Sequence, residues 1–132
     1  KLGTGWPCHG MEHELSAFYD ITHGVGLAIL TPRWMRYILK KDPTVTPRFA
    51  RFARNVWNIQ EEDDNRAAVK GIDALADFFY QTAGIPSSLS ALGIDDKNFR
   101  VMSEHAVSSN DLTHAYVPLT PEDVVEIYKD CL

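Results

Sequence analysis

Apolar positions recur at three- and four-residue steps along most of the chain, the period of helices with one buried face. No stretch alternates apolar and polar residues as a half-buried strand does, and no Asn-Gly or Asp-Gly pair joins two β-branched runs. Thr-Pro pairs stand at Thr31-Pro32, Thr46-Pro47 and Thr120-Pro121. Each reads as a helix start, with the threonine oxygen capping an orphan N–H and proline at the first helical position. Asp123, three residues after Thr120, adds a capping-box signature. The longest helix is expected over residues 63–83. Glu61, Glu62, Asp63 and Asp64 crowd its start, where the macrodipole favours negative charge, and Gly84-Ile85-Pro86 stops it. Val69, Ile72, Leu75, Ala76 and Phe79 would form its apolar face. Further helices are expected over residues 7–19, over 23–40 in one or two pieces interrupted near Pro32, and over 47–57. Another should run from Asp95 or Asp96 to Val107, and a last one over 121–131. Residues 86–91 and 108–118 read as loops, and no internal repeat is present. The sum is all-α, one helical domain of about five to seven helices packed ridge into groove.

The aromatic and methionine residues Phe18, Tyr19, Trp34, Met35, Tyr37, Phe49, Phe52, Trp57, Phe78, Phe79 and Met102 fall at helical spacing and read as core. A length of 132 residues suits one domain. With 45% hydrophobic and 23% charged residues, the chain is neither a disordered tail nor a low-complexity linker. A net charge of -5 lacks the basic footprint that nucleic-acid binding needs. The longest apolar run, residues 25–30, contains Gly26 and is far too short for a membrane span. No basic run followed by an apolar stretch is present, so no secretory signal is expected. Cys8 and Cys131 match no CxxC or zinc-finger spacing and read as two reduced thiols, so a cytoplasmic protein is expected. The chain begins at Lys1 rather than Met and is expected to be a piece of something larger.

Histidine carries the candidate chemistry. His9, His13 and His23 fall within fifteen residues, interleaved with Gly10, Gly24, Glu12 and Glu14. Imidazole is the commonest metal ligand. His9 and His13 stand at i and i+4 and share a helix face. For His9 and His23 to meet one ion, the chain must return along a helix that rises about 13 Å, which the spacing permits without compelling it. Gly10 within a helix suggests a close neighbour, at a cost of about 1 kcal/mol against Ala. His105 and His114 lack such company and read as structural.

Two motif families compete for this segment. His9-Gly10-Met11-Glu12-His13 fits H-x-x-E-H, in which both histidines would bind zinc and Glu12 would activate water. That match makes an inverzincin-like metallohydrolase one alternative. A non-catalytic helical interaction module without metal is another.

The longer match is CHGMEHELSAFYDITHGVGLAILTPRWMRYIL, continued by FARNVWNI, GIDALADFFYQTAGIPSSLSALGID and LTPEDVVEIYKDCL. It covers essentially the whole chain. It resembles the C-terminal helical domain of the iron-containing alcohol dehydrogenases, most of all the NADH-dependent butanol dehydrogenase branch. The resemblance implies a dehydroquinate synthase-like helical domain spanning residues 1–132. The nicotinamide-binding domain and the first part of the helical domain would lie upstream. The family's metal has an Asp and three His ligands, two of the histidines fourteen residues apart. His9 and His23 have that spacing and take the ligand role, in place of the His9–His13 pair that helical spacing suggests. His13 falls on the family's proton-transfer or positioning histidine.

The resemblance further implies Fe(II), with zinc as the alternative, and NAD(H) or NADP(H) held by the missing domain. The intact parent would interconvert small primary alcohols and aldehydes, with the metal as Lewis acid, hydride from nicotinamide, and His13 as proton relay. This chain alone is expected to have little or no such activity. Apolar surface left bare by the missing part would favour a homo-oligomer.

Overall fold

Proline opens the first helix and a left-handed residue closes it. In the computed structural model, which describes residues 5–132, Pro7 is the first residue of α1 (Pro7–Tyr19). The chain start at Lys1 lies outside the described residues. Asp20 ends α1 at φ 51°, its N–H bonded to the Ser16 carbonyl at 2.9 Å. The chain turns at once into α2 (His23–Lys41), which packs back against α1. α3 (Thr46–Trp57) and α4 (Asp64–Asp77) form a close pair, and α4 leans on α2. α5 (Phe99–Ser109) and α6 (Pro121–Asp130) pack together, α5 on α1 and α6 on α2. The all-α expectation and the helix count hold. Among the described residues there is no strand.

Pro32 does not break the second helix, contrary to expectation. Proline lacks the N–H that would bond the carbonyl four residues back, at Ala28. The Tyr80 hydroxyl donates to that carbonyl at 3.0 Å instead. Arg33 Nη1 takes the next carbonyl, Ile29, at 3.1 Å, and the Thr31 hydroxyl donates to Leu27 at 2.7 Å. Tyr80 comes from a π-helical turn, Phe78–Thr82, that widens the end of α4. The Thr31-Pro32 pair is therefore helix interior.

Other boundaries shift for local reasons. Thr46 is the first residue of α3 rather than its cap, because a 3₁₀ turn over Pro43–Val45 leads straight into it. α5 starts at Phe99, after a turn in which the Phe99 N–H bonds Asp96 at 3.1 Å, not near Asp95. The Thr120 capping box is present in full: the Thr120 N–H donates to Asp123 Oδ2 at 2.7 Å and the Asp123 N–H to Thr120 Oγ1 at 3.3 Å. Asp63 caps α4 by accepting from the Arg66 N–H at 2.8 Å. Glu61 just before it pairs with Lys70 and Arg66, and these partners bring its carboxyl down to about 2.

The core runs through Met11, Leu15, Ile29, Leu30, Ile38, Ile72, Leu89, Phe99, Met102, Ile127 and Tyr128. Tyr128 is fully buried and donates its hydroxyl to the Met11 carbonyl at 2.7 Å, tying α6 to α1. Phe18, Phe78 and Val69, expected inside, are exposed. The buried stripe of α4 is Ala67, Ala68, Gly71, Ile72 and Ala76, small residues that let α3 approach closely. A Cβ on Gly71 would sit 2.9 Å from Ala53 Cα. Gly10 likewise yields to Asn110, whose Cβ would be 2.7 Å from an added Cβ.

Candidate metal centre

The turn at Asp20 sets the first residue of α2 against the first two turns of α1. Three imidazoles converge there. Ring centroids lie 5.3 Å apart for His9 and His23, 5.6 Å for His13 and His23, and 6.3 Å for His9 and His13. The return of the chain that spacing left open is thus made. His13 stacks on His23 with planes 27° apart, and Trp6 meets His9 edge-on at 5.3 Å.

Do these groups fit a metal? An imidazole binds through one nitrogen at roughly 2.0–2.1 Å, so two such ligands at a tetrahedral angle have centroids about 5 Å apart. His9 and His23 match that separation, and His9 with His13 is wider. Imidazole donors suit iron, zinc and nickel alike. The residues present therefore fit one edge of a metal site, with room for ligands from elsewhere.

Glu12 lies between His9 and His13 in sequence but beneath them in space. It is fully buried. Its Oε2 accepts from His23 Nδ1, and its Oε1 accepts from the Ser16 hydroxyl at 2.6 Å. One potential ligand atom each from Glu12, His13 and His23 lies within 4.8 Å of the other two. Both Glu12 oxygens nevertheless have a partner within the protein and the side chain is fully buried, so the carboxylate does not face solvent. Gly26, one turn into α2, makes the space for this side chain: a Cβ there would be 2.6 Å from Glu12 Cγ. Composition and helical phase point to neither the Glu12–His23 contact nor the role of Gly26.

Beside His9 opens a cavity of about 380 Å³, mostly apolar, lined among others by Trp6, Trp34, Phe49, Arg48 and Tyr116. The Arg48 guanidinium sits 5.0 Å over the Tyr116 ring. Trp34 Nε1 is buried and has no hydrogen-bond partner among the described residues. Burial pushes the Cys8 thiol up to about 12, with the Thr31 hydroxyl pulling the other way. Burial does the same to Cys131, again to about 12. Thiols so held are not nucleophiles at neutral pH. His105 and His114 are exposed and lie outside the cluster, His105 3.5 Å from Glu14 and His114 2.6 Å from Asp111. No helix among the described residues is long and apolar enough to cross a membrane.

Comparison with known proteins places the chain in a family. NADH-dependent butanol dehydrogenase A of Clostridium acetobutylicum is 45% identical over 129 residues, covering 94% of this chain and 32% of that protein. Probable NADH-dependent butanol dehydrogenase 1 of Bacillus subtilis is 36% identical over 129 residues, covering 96% of this chain and 32% of that protein. The crystal structure of NADH-dependent butanol dehydrogenase A from Thermotoga maritima matches with a TM-score of 0.81 at 34% identity, over 96% of this chain and 33% of that one. The chain spans about a third of the length of these relatives. The pattern of the Fe-containing alcohol dehydrogenase family, C-terminal, matches residues 3–132. The chain therefore belongs to the Fe-containing alcohol dehydrogenase family and carries its C-terminal helical region.

Proposed function

We propose that this chain is the metal-carrying helical part of a dehydrogenase that interconverts butanol-like primary alcohols and aldehydes using NAD(H). The observation that supports this most is the meeting of three histidine rings at 5.3–6.3 Å beside an apolar cavity. His9 and His23 hold the ion, each through one ring nitrogen, and an Asp and a third His from outside this chain complete the set. A bound ion supplies Lewis-acid polarisation of the substrate oxygen, and nicotinamide, held mainly by another domain, supplies hydride exchange with the substrate carbon. Iron is the expected metal. In this chain alone, with ligands missing, affinity is weak and follows the general order that favours nickel and zinc.

His13 is not needed as a ligand. Its exposed ring, stacked on His23, can hold or release a proton at the substrate oxygen. The apolar cavity beside His9 receives the hydrocarbon end of the substrate. The full engagement of Glu12 speaks against the metallohydrolase alternative, which needs that carboxylate free to activate water.

The test is a chimera in which this chain replaces the matching third of NADH-dependent butanol dehydrogenase A. NADH oxidation with butyraldehyde is expected in the iron- or zinc-loaded chimera, abolished by His9→Ala or His23→Ala. The isolated chain is expected to show none. A folded, metal-loaded chimera without aldehyde reduction would overturn the proposal.

A further inference from the structure

We infer that Glu12 is a positioning residue for His23: it fixes the proton on Nδ1 and so reserves Nε2 of that ring for the ion. The inference rests on the reading of His23 as a ligand, and deepens it.

Three independent features meet at Glu12. The side chain is fully buried although it stands between two exposed or half-exposed histidines of α1. Its two oxygens have separate donors, His23 Nδ1 on one side and the Ser16 hydroxyl at 2.6 Å on the other. Its place is vacated by the opposite helix, since a Cβ on Gly26 would lie 2.6 Å from Glu12 Cγ and 2.8 Å from Glu12 Oε1. A buried carboxylate without donors is strongly unfavourable, so the seat is built for a bonded one.

The chemical consequence follows from the imidazole ring. Neutral imidazole has one N–H and one lone pair, and the partner of the N–H decides which nitrogen keeps the lone pair. His23 is the first residue of α2 and its side chain is 46% exposed; the His9 and His13 rings lie beside it, but ring contacts do not choose between its two nitrogens. A carboxylate on Nδ1 fixes both tautomer and orientation, as is usual for metal-ligating histidines. Glu12 is then neither a ligand nor a general base. Its effect is exerted through His23.

The test uses the whole chain, without metal first. Long-range proton–nitrogen correlation spectra at mildly alkaline pH report which imidazole nitrogen bears the proton. In the wild-type chain His23 should show Nδ1–H and a bare Nε2. Glu12→Ala should move it toward the Nε2–H form that an unrestrained histidine prefers. Glu12→Gln should restore Nδ1–H, because the amide oxygen still accepts from the ring while the amide N–H turns to Ser16 Oγ. Gly26→Ala disturbs Glu12 from the other helix and should act like Glu12→Ala. It carries the test if Glu12→Ala fails to fold.

Zinc competition titration is the second readout. Glu12→Ala and Gly26→Ala should weaken zinc by roughly 10–100-fold, the usual penalty for losing an outer-shell partner, and Glu12→Gln should recover most of it. A wild-type His23 protonated on Nε2, or one unchanged by Glu12→Ala and Gly26→Ala, would overturn the inference. Wild-type chain with the Nδ1–H form but no zinc uptake would instead overturn the ligand reading, and with it the purpose assigned to the contact.

Discussion

Replacing Tyr80 with Phe removes one hydroxyl and tests how α2 survives its internal proline. Pro32 leaves the Ala28 carbonyl without a helical donor. Tyr80 Oη lies 3.0 Å from that oxygen and 3.4 Å from the Ile29 carbonyl, and it also contacts Arg33 Nη1. Ala28 is 3% exposed, so water does not readily take the place of the hydroxyl. Stranding a buried acceptor costs about 1–3 kcal/mol. Arg33 Nη1 still serves Ile29 at 3.1 Å, which confines the damage to one carbonyl. We therefore expect a loss of about 2 kcal/mol, in the middle of that range. Urea unfolding followed by far-ultraviolet circular dichroism gives the number, provided the slope with denaturant is unchanged. A second leg isolates the cause. Pro32→Ala gives Ala28 a backbone donor, so Tyr80→Phe in that background should cost about 1 kcal/mol less. Equal costs in the two backgrounds, within about 0.5 kcal/mol, would refute the link between Tyr80 and Pro32.

Gly71→Ala should destabilise by about 1–2 kcal/mol despite better helix propensity, since the new Cβ would meet Ala53 Cα at 2.9 Å and push α3 from α4. A raised urea midpoint would contradict this. Asp123→Asn should flatten the acid limb of the stability curve. Burial pushes that carboxyl up, but Lys41, the Thr120 N–H and the Tyr37 hydroxyl together outweigh it and hold it below the ordinary 3.8. Its contribution is therefore present above 3.8 and lost as pH falls through the lower folded value. Urea midpoints across that range check it, and parallel acid limbs in wild type and variant would refute it. Glu61, held at about 2 by Lys70 and then Arg66, behaves with the same sign from 4.5 downward. Because its partners are exposed, added salt should shrink the difference between wild type and Glu61→Gln.

What the sequence made legible was local. Pro7, Asp63 and the Thr120–Asp123 box mark helix starts through contacts within four residues, and all three were readable. The continuity of α2 was not, because the donor that rescues it stands in a different helix, at Tyr80. The buried face of α4 departs from the expected one at Val69 for a related reason. Large apolar residues suggested the stripe, whereas close approach to Ala53 selects the small ones, Ala67, Ala68 and Gly71. At the site, helical phase pairs His9 with His13, and the family resemblance is what implies His9 and His23; the structure brings all three rings within 5.3–6.3 Å of one another. Glu12 was visible only as a neighbour of histidines. Its burial depends on Gly26 and Ser16, a pocket that exists only once the chain has turned at Asp20.

Calorimetric titration of the whole chain with zinc or ferrous ion, repeated on His9→Ala, His13→Ala and His23→Ala, tests the metal site most directly. The expected result is one weak site whose affinity collapses in His9→Ala and His23→Ala and survives in His13→Ala. Equal losses at His9 and His13 with His23 untouched would contradict it, as would a wild-type chain that takes up neither ion.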